Sequence, residues 1–339
     1  MTRYSRQIAL PQIGRAGQER LAKAHVLVLG CGALGSIQAE LLTRAGIGRL
    51  RIVDRDIPEL SNLPRQFLYE ESDVHERIPK ALAAAHHLRL INSAIEIEAL
   101  VRDVTASNIE VLLQGIDIVL DGVDNFETRY LLNDACVKSG IPWVYGGIQG
   151  TGVLAMPIIP DLGPCLQCVF PEAPPQGSVP TCDVSGVLNA SPAITASLQV
   201  SQAIRILVQG PEALAQDIRL LSLDPWTFQV QSLKAVQQDD CPCCVQRLFP
   251  FLEAKTTSRT ASLCGRNAIQ VSPAQPAQWN LATLAQQLEP LGKITLRREI
   301  LELEVDSFRL VIFTDGRVVV HGTADRSVAR SLVARYLGS

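Results

Sequence analysis

Short apolar runs alternate with segments that carry apolar residues at helical spacing through about the first 160 residues. The runs predict strands at 26–29, 50–53, 95–100, 116–120 and 143–145. The helical spacing predicts helices at 34–45, 79–91 and 126–139, and a short one at 107–113 that Thr105 caps. Gly46 and Gly140 follow two of these helices, where a left-handed residue commonly ends a helix. This alternation indicates an α/β fold of the Rossmann type, a mostly parallel sheet flanked by helices.

The pattern changes after Gly150 and again near residue 250. Strands are predicted at 153–159, 218–223 and 228–233 and a helix at 191–208, around a proline-rich segment at 160–180. A polar linker is predicted at 251–261. Beyond it, helices at 281–288 and 324–336 and strands at 294–297, 301–305, 310–313 and 318–321 predict a small α+β domain, with a hairpin turn at Asp315-Gly316. We expect a large domain at 1–250, divided near residue 160, and a small one at 262–339.

A glycine loop, Gly30-x-Gly32-x-x-Gly35, lies between the first predicted strand and a helix that starts near Ala33. This context is typical of nucleotide binding, because glycine lets the backbone approach a phosphate and the helix start offers unpaired N–H groups. Asp54 ends the second strand, where a carboxylate can bind ribose hydroxyls. The loop alone does not choose between NAD, FAD, S-adenosylmethionine and ATP, and a tight turn without a ligand is the simpler alternative.

Charged and amide side chains surround this loop in the sequence. They are Arg6, Asp56, Asn62, Arg65, Lys80 and Asp124. Arg65 and Lys80 can neutralise charge that develops during displacement at phosphorus, and Asp124 can hold Mg²⁺. Taken singly, such residues are more often solvated surface groups. Together they favour nucleotidyl transfer, because hydride transfer has no use for so many groups directed at phosphate.

Four of the nine cysteines form two Cys-x-x-Cys pairs. The pairs are Cys165 with Cys168 and Cys241 with Cys244, and Cys243 interrupts the spacing of the second. Such pairs predict a Cys₄ zinc site, which is structural because four thiolates leave no open coordination position. The alternatives are a redox dithiol and cysteines that are buried as small apolar residues.

Composition excludes several classes of protein. The formal net charge of −3 gives no electrostatic reason to expect nucleic acid or an anionic membrane as a partner. No apolar run approaches the roughly 18–20 residues of a membrane span, and the N-terminus lacks the apolar core of a signal peptide. We therefore expect a cytoplasmic protein.

Linked motifs give the chain a specific resemblance. They are Arg3-Tyr-Ser-Arg-Gln7, Gly30-Cys-Gly-Ala-Leu-Gly35, Val53-Asp-Arg-Asp56, Ser61-Asn-Leu-Pro-Arg-Gln66, Pro79-Lys80 and Asp121-Gly-Val-Asp-Asn125. In this order they resemble the ubiquitin-activating-enzyme-like superfamily, and within it the bacterial sulfur-carrier-protein adenylyltransferases of the ThiF and MoeB type. The resemblance covers at least residues 1–250. It implies adenylation of the C-terminal glycine carboxylate of a ubiquitin-like sulfur carrier, for thiamine or molybdopterin biosynthesis.

The resemblance also implies roles for individual residues. It implies ATP with Asp54 on the ribose, Mg²⁺ on Asp124, structural zinc, and a homodimer in which Arg6 reaches the neighbouring subunit's nucleotide. Residues expected around the nucleotide are Gly30, Gly32, Ala33, Gly35, Asp54, Asp56, Ser61, Asn62, Arg65, Lys80, Asp124 and Asn125. The catalytic group would comprise Arg6, Asn62, Arg65, Lys80 and Asp124.

The remaining cysteines divide into one candidate and several without a role. In related enzymes a cysteine placed like Cys182 is proposed to take the activated carrier as a thioester or mixed disulfide, and a loop thiol with no duty is the alternative. Cys31 and Cys136 are expected to be packing residues, and Cys264 is unassigned. The tail is short for a fused sulfurtransferase, so we expect a separate sulfur donor, a sulfurtransferase or a cysteine desulfurase.

Three other functions stay open at this point. The same chemistry could act on a different peptide or acidic substrate. An NAD-dependent oxidoreductase on this fold would leave Arg65, Lys80 and Asp124 unexplained. A non-catalytic scaffold for ubiquitin-like proteins would be expected to have lost one of those residues, and all three are present.

Overall fold

The structure is a computed structural model that describes residues 3–174, 186–253, 260–263, 267–273 and 278–337. It divides into two compact units, residues 1–254 and 255–339. Each unit is described by itself.

The first unit is built on an eight-stranded sheet. Its strands are β1 (His25–Leu29), β2 (Arg49–Asp54), β3 (Glu96–Val101), β4 (Ile118–Asp121), β5 (Trp143–Gln149), β6 (Gly152–Ile158), β7 (Arg219–Asp224) and β8 (Gln229–Lys234). The order is β3-β2-β1-β4-β5-β6-β7-β8, with parallel pairing from β3 to β5 and antiparallel pairing from β5 to β8. The predicted α/β fold of the Rossmann type is confirmed.

Helices accompany this sheet. They are Ser5–Ile8, Gly14–Leu21, Ala33–Ala45, Glu71–His75, Lys80–Ile91, Ile109–Leu112, Phe126–Ser139, Leu166–Val169, Ala190–Gln209, Glu212–Ala215 and Pro250–Glu253, with a 3₁₀ turn at Leu60–Asn62. Gly46 and Gly140 are left-handed at helix ends, as predicted. The predicted cap Thr105 is wrong: the helix begins at Ile109, so Asn108 is the N-cap residue, and its Oδ1 accepts a hydrogen bond from Thr105 N in the preceding turn. In the part of the chain described, no helix has the length and apolar character of a membrane span.

The carboxyl ends of the central strands meet at one edge of the sheet. Leu29 at the end of β1 is in register with Val53 on β2 and with Asp121 on β4, and all five residues of β1 are buried. The segments that follow β1, β2 and β4 are therefore neighbours. These segments contain the glycine loop, Asp54 and Asp124.

The second unit contains a six-stranded antiparallel sheet with the order β11-β12-β13-β14-β10-β9. Its strands are β9 (Thr260–Leu263), β10 (Ala268–Val271), β11 (Lys293–Leu296), β12 (Ile300–Val305), β13 (Phe308–Phe313) and β14 (Val318–His321). Helices Leu281–Leu288 and Arg326–Leu337 pack with one face of the sheet, and a 3₁₀ turn covers Glu289–Leu291. Gly316 has φ +83°, which agrees with the predicted hairpin turn.

The sequence prediction missed β9 and β10. β9 begins in the segment whose polar composition predicted a linker, and β10 is held by its pairing with the distant β14. The predicted linker at 251–261 is also too long, because helix Pro250–Glu253 enters it and β9 begins within it.

Candidate functional site

Three glycines of the loop region are required by backbone packing. Gly30 has φ +83°, and a Cβ added there would lie 2.6 Å from Gly122 O. A Cβ at Gly35 would lie 1.8 Å from Gly30 O, and one at Gly122 would lie 2.3 Å from the same atom. The loops after β1 and β4 are thus in direct backbone contact. This contact places Asp124, two residues beyond Gly122, at the rim of the glycine loop.

Gly32 is not required by packing. A Cβ there would meet only Gln66 Nε2, at 3.8 Å, so the space beside this glycine is open. The following helix, Ala33–Ala45, begins without a side-chain cap, so its first N–H groups face the same space. Gln66 is only 5% exposed, yet its Oε1 has no hydrogen-bond partner among the described residues. An open cradle lined by the N–H groups of a helix start suits a bound polyphosphate, and the acceptor of Gln66 would need a donor such as a water or a nucleotide hydroxyl.

Asp54 holds the glycine loop from the end of β2. Its Oδ2 accepts a hydrogen bond from Cys31 N at 2.6 Å, and its Oδ1 accepts one from Asp56 N at 2.7 Å. Burial raises the pKa of Asp54, and the positive charge of Lys80 opposes that rise. Each carboxylate oxygen has a further lone pair, so the predicted contact with ribose hydroxyls is compatible with this geometry.

Lys80 lies buried at the start of helix Lys80–Ile91. Its Nζ is 3.5 Å from Asp56 Oδ2, and its backbone N donates to Asp56 O at 2.8 Å. The hydroxyl of Tyr69 donates to Cys31 O at 2.6 Å and lies 3.4 Å from Lys80 O. Burial raises the pKa of Tyr69 well above its usual value, so this hydroxyl stays a donor. Lys80, Asp56 and the glycine loop are thereby brought together, as the sequence predicts.

The segment Ser61 to Gln66 forms a tight turn beside the loop. Asn62 is buried; its Oδ1 accepts from Glu59 N at 3.2 Å, and its carbonyl accepts from Gln66 N at 3.0 Å. Half-buried Arg65 donates from Nη1 to Ser61 O at 2.7 Å. The side-chain oxygen of Asn62 is therefore used within the turn, and its Nδ2 group remains as a donor for a ligand. The roles of Ser61, Asn62 and Arg65 at a nucleotide stay predictions.

Asp124 and Asn125 differ in what they do locally. Asp124 is exposed, and its Oδ1 accepts from Asn125 Nδ2 at 3.3 Å. Asn125 is the N-cap of helix Phe126–Ser139, with its Oδ1 accepting from Thr128 N at 2.8 Å. A single exposed carboxylate beside a phosphate cradle suits Mg²⁺, which keeps several waters and adds substrate phosphates to one or two carboxylates.

A buried ion pair supports the loop that carries Asp124. Arg129 Nε lies 2.7 Å from Asp121 Oδ2, and its Nη2 donates to Val123 O at 2.8 Å and to Gly146 O at 3.2 Å. Burial works against the charge of Arg129, but Asp121, Tyr145 and Asp124 together raise the pKa of Arg129. The guanidinium thus anchors the backbone immediately before Asp124.

Among the described residues predicted at the nucleotide, Arg6 lies far from its own glycine loop. The neighbouring Gln7 donates from Nε2 to Ala45 O at 3.0 Å, at the end of helix Ala33–Ala45. The loop lies at the start of that helix, and its 13 residues span about 20 Å. This distance exceeds the reach of an arginine side chain.

The four cysteines of the two Cys-x-x-Cys pairs form one cluster. Their sulfurs lie within 4.8 Å of one another, with Sγ–Sγ distances of 4.0 Å for Cys165–Cys168, 3.6 Å for Cys165–Cys241 and 3.4 Å for Cys168–Cys244. A tetrahedral zinc ion with Zn–S bonds of about 2.3 Å separates its sulfurs by about 3.8 Å. The cluster therefore has the donor set and spacing for zinc.

Helix Phe126–Ser139 connects the two pairs. Asn133 is fully buried; its Oδ1 accepts from Leu166 N at 2.9 Å, and its Nδ2 donates to Cys243 Sγ at 3.1 Å. Cys243 itself lies outside the cluster of four, as the spacing suggested. One asparagine thus joins both halves of the metal centre to the helix that starts at Asn125.

The side chains of two other described thiols take no part in either site. Cys31 and Cys136 are fully buried, and burial raises the pKa of Cys31 to about 12 and that of Cys136 still further. Both stay protonated packing residues at neutral pH. Cys182 and Cys264 lie outside the described residues, so the proposed role of Cys182 stays a prediction.

Comparison with known proteins identifies the family. Residues 4–243 match the ThiF family. The chain belongs to the ThiF family. A "Sulfur carrier protein ThiS adenylyltransferase" of Bacillus subtilis is 40% identical over 339 residues, which cover 99% of each chain. A "SAMP-activating enzyme E1" of Haloferax volcanii is 40% identical over 72% of this chain and 88% of its own.

Solved structures share the ThiF-family fold at lower identity. E. coli MccB with bound ATP has a TM-score of 0.61 at 21% identity, covering 72% of this chain and 74% of its own. MccB with a MccA derivative gives a TM-score of 0.63, also at 21% identity and 72% of this chain. At this identity the likeness supports the fold alone.

Three residues that border the site of this ThiF-family chain were missed in the sequence. Gln66 lies inside a motif already singled out, so its position was a usable signal. Tyr69 and Arg129 carry no local signal, because their roles depend on partners distant in the sequence.

Proposed function

We propose that this protein adenylates the C-terminal glycine carboxylate of a ubiquitin-like sulfur carrier at the expense of ATP. The observation that carries the proposal is the open cradle at Gly32, bordered by Lys80 and by the loop of Asp124. The Bacillus subtilis relative, aligned over 99% of both chains, is named for this activity on ThiS. A ThiS-like carrier is therefore favoured over other small proteins.

The reaction needs positioning and charge stabilisation more than proton transfer. The carrier's carboxylate is already ionised at neutral pH, so it attacks the α-phosphorus of ATP without a protein base. A new oxygen–phosphorus bond forms, the bond to the β-phosphate breaks, and pyrophosphate leaves with the bonding electrons. Asn62, Arg65 and Lys80 would stabilise the charge that spreads over the phosphate oxygens. Asp124 would hold Mg²⁺, which supplies further neutralisation of phosphate charge.

The cysteine cluster has a separate, structural role in this proposal. Its four thiolates would complete the coordination of one zinc ion and leave no site for substrate. Zinc would join the segment after β6 to the segment after β8, because Cys165 follows the first and Cys241 the second. The sulfur donor would be another protein.

We propose that Arg6 acts across a homodimer, since its own loop is a helix length away. Subunits with Arg6→Ala should be mixed and refolded with subunits that carry Asp124→Ala. Half of the dimers then combine both variants, and one site in each has an intact Asp124 with an intact partner arginine. We expect about a quarter of wild-type activity from the mixture and almost none from either variant alone. If Arg6 acts within its own subunit, mixing restores nothing.

The edge of the sheet offers a surface for the carrier. All six residues of β8 are exposed, and β8 is the last strand of the sheet. The turn before it exposes Phe228 by 89% and Trp226 by 72%. An unpaired strand edge beside exposed aromatic residues is typical of protein–protein contact, and a partner can extend it strand to strand.

The proposed function is tested by incubating the protein with ATP, Mg²⁺ and a ThiS-like carrier, then measuring the carrier's mass. We expect an addition equal to one AMP. Phe228→Asp should raise the KM for the carrier on the order of tenfold while ATP binding is unchanged, and Thr227→Asp is the matched control. An unmodified carrier, with ATP bound but not consumed, would contradict the adenylation. An equal rise of the KM in Phe228→Asp and Thr227→Asp would contradict the docking surface and leave the adenylation untouched.

A further inference from the structure

Arg55 is held by ion pairs at the carboxyl edge of the sheet, and the reaction described above assigns it no role. Its Nη1 lies 3.0 Å from Asp103 Oδ1, and its Nε lies 3.9 Å from Asp56 Oδ1. The side chain is 28% exposed, so most of it is held in the protein while one part faces solvent. Burial works against its charge, but Asp103, Asp56 and Asp124 raise the pKa of Arg55 and keep it protonated.

Asp103 is itself fixed, which makes the ion pair a defined surface. Its Oδ1 also accepts from Val104 N at 3.0 Å, and its carbonyl accepts from Asn108 Nδ2 at 2.8 Å. The segment is tied to β2, because Arg102 N donates to Asp54 O at 3.2 Å. The guanidinium therefore spans the ends of β2 and β3, directly beside Asp54.

The strand order indicates which part of a nucleotide reaches this pair. Phosphates would lie at the end of β1, at Gly32, and the ribose at the end of β2, on Asp54. Neighbouring strands are about 4.8 Å apart, so a nucleotide that continues in this direction brings its base over the end of β3. That is where the pair of Arg55 and Asp103 lies.

We propose that Arg55, held by Asp103, is the residue on which the adenine ring of ATP stacks. A guanidinium is planar and polarisable, and it attracts the π-face of an aromatic ring. Its pairing with Asp103 restricts the side chain before the nucleotide binds, so little further conformational entropy is lost on binding. This inference rests on the proposed function, since it assumes ATP in the cradle at Gly32.

Arg55→Lys provides the test, because it keeps the positive charge and removes the planar guanidinium on which the adenine ring would stack. We expect the Kd for ATP, measured by calorimetry, to rise on the order of tenfold, with the Kd for inorganic tripolyphosphate unchanged. Arg51→Lys is the matched control, because Arg51 pairs with Glu98 across the same two strands at 2.7 Å, away from the carboxyl edge. That control should bind both ligands as the wild type does.

Each other outcome is informative. An unchanged ATP affinity in Arg55→Lys overturns the stacking contact. Equal losses for ATP and tripolyphosphate overturn it too, because they show that Arg55 acts on the phosphates. Should Arg55→Lys melt much earlier than wild type, Asp103→Asn is measured instead, with a smaller selective loss for ATP expected. If the wild type itself binds no ATP, the proposed function fails, not only the role of Arg55.

Discussion

Replacing Asp124 by asparagine should abolish carrier-dependent ATP–pyrophosphate exchange while the protein stays folded. The carboxylate is exposed and accepts one hydrogen bond, from Asn125 Nδ2, so little folding energy depends on it. Asparagine keeps the size of the side chain and removes the charge that would hold Mg²⁺ against the phosphates. A preorganised electrostatic group of this kind is worth on the order of 10²–10³ in rate.

Glu127→Gln is the control for this variant. Glu127 is also exposed, and it lies in the first turn of the helix that Asn125 caps, so both substitutions remove one negative charge from the same region. We expect exchange close to wild type for Glu127→Gln and unchanged thermal unfolding for both. Asp124→Asn with normal exchange would remove Asp124 from the mechanism. Extra Mg²⁺ should not restore the lost activity, because the ligand itself is missing.

The second large effect is expected from the metal centre. Cys241→Ala should lose the bound zinc and lower the midpoint of thermal unfolding by about 10 °C or more. Cys241 is buried among sulfurs 3.4–4.0 Å apart, and without the ion the folded state loses the metal–sulfur bonds that hold them together. The two chain segments that the ion joins are then held only through helix Phe126–Ser139 and their own packing.

Metal content and unfolding should be measured together for this variant. Cys136→Ala is the control, because Cys136 is equally buried, lies outside the cluster and loses a similar volume. We expect one zinc per chain in wild type and control and a clear deficit in Cys241→Ala. A chelator strong enough to remove zinc should lower the unfolding temperature of the wild type in the same way. A Cys241→Ala protein as stable as the control would show that the cluster does not support the fold.

The glycine loop and the zinc cluster could be predicted because their signals are local. A strand, Gly30, Gly32 and a helix start follow one another directly, so the turn is determined by adjacent residues. Each Cys-x-x-Cys pair likewise sets its own geometry. What needed the structure was how the two pairs are supported, because Asn133 contacts Leu166 N and Cys243 Sγ from a helix that is distant in the sequence.

Other residues could not be placed from the sequence, because one side chain can serve the backbone or a ligand. Asn125 caps a helix through its Oδ1, and its predicted contact with the nucleotide stays a prediction. Arg129 had no local signal, yet its partner Asp121 and the carbonyl of Gly146 make it the support of the loop before Asp124.

The sequence by itself determined the family, the α/β fold and the chemical types at the site, because these follow from short-range periodicity, turn residues and motif order. The tertiary structure alone decided which glycines are packed and which one leaves space, that Arg6 is a helix length from its own loop, and that Arg55 is held beside Asp54. Each of these depends on contacts between strands and helices that are far apart in the chain. Side-chain identity defines what a residue can do, and long-range packing defines which atoms it can reach.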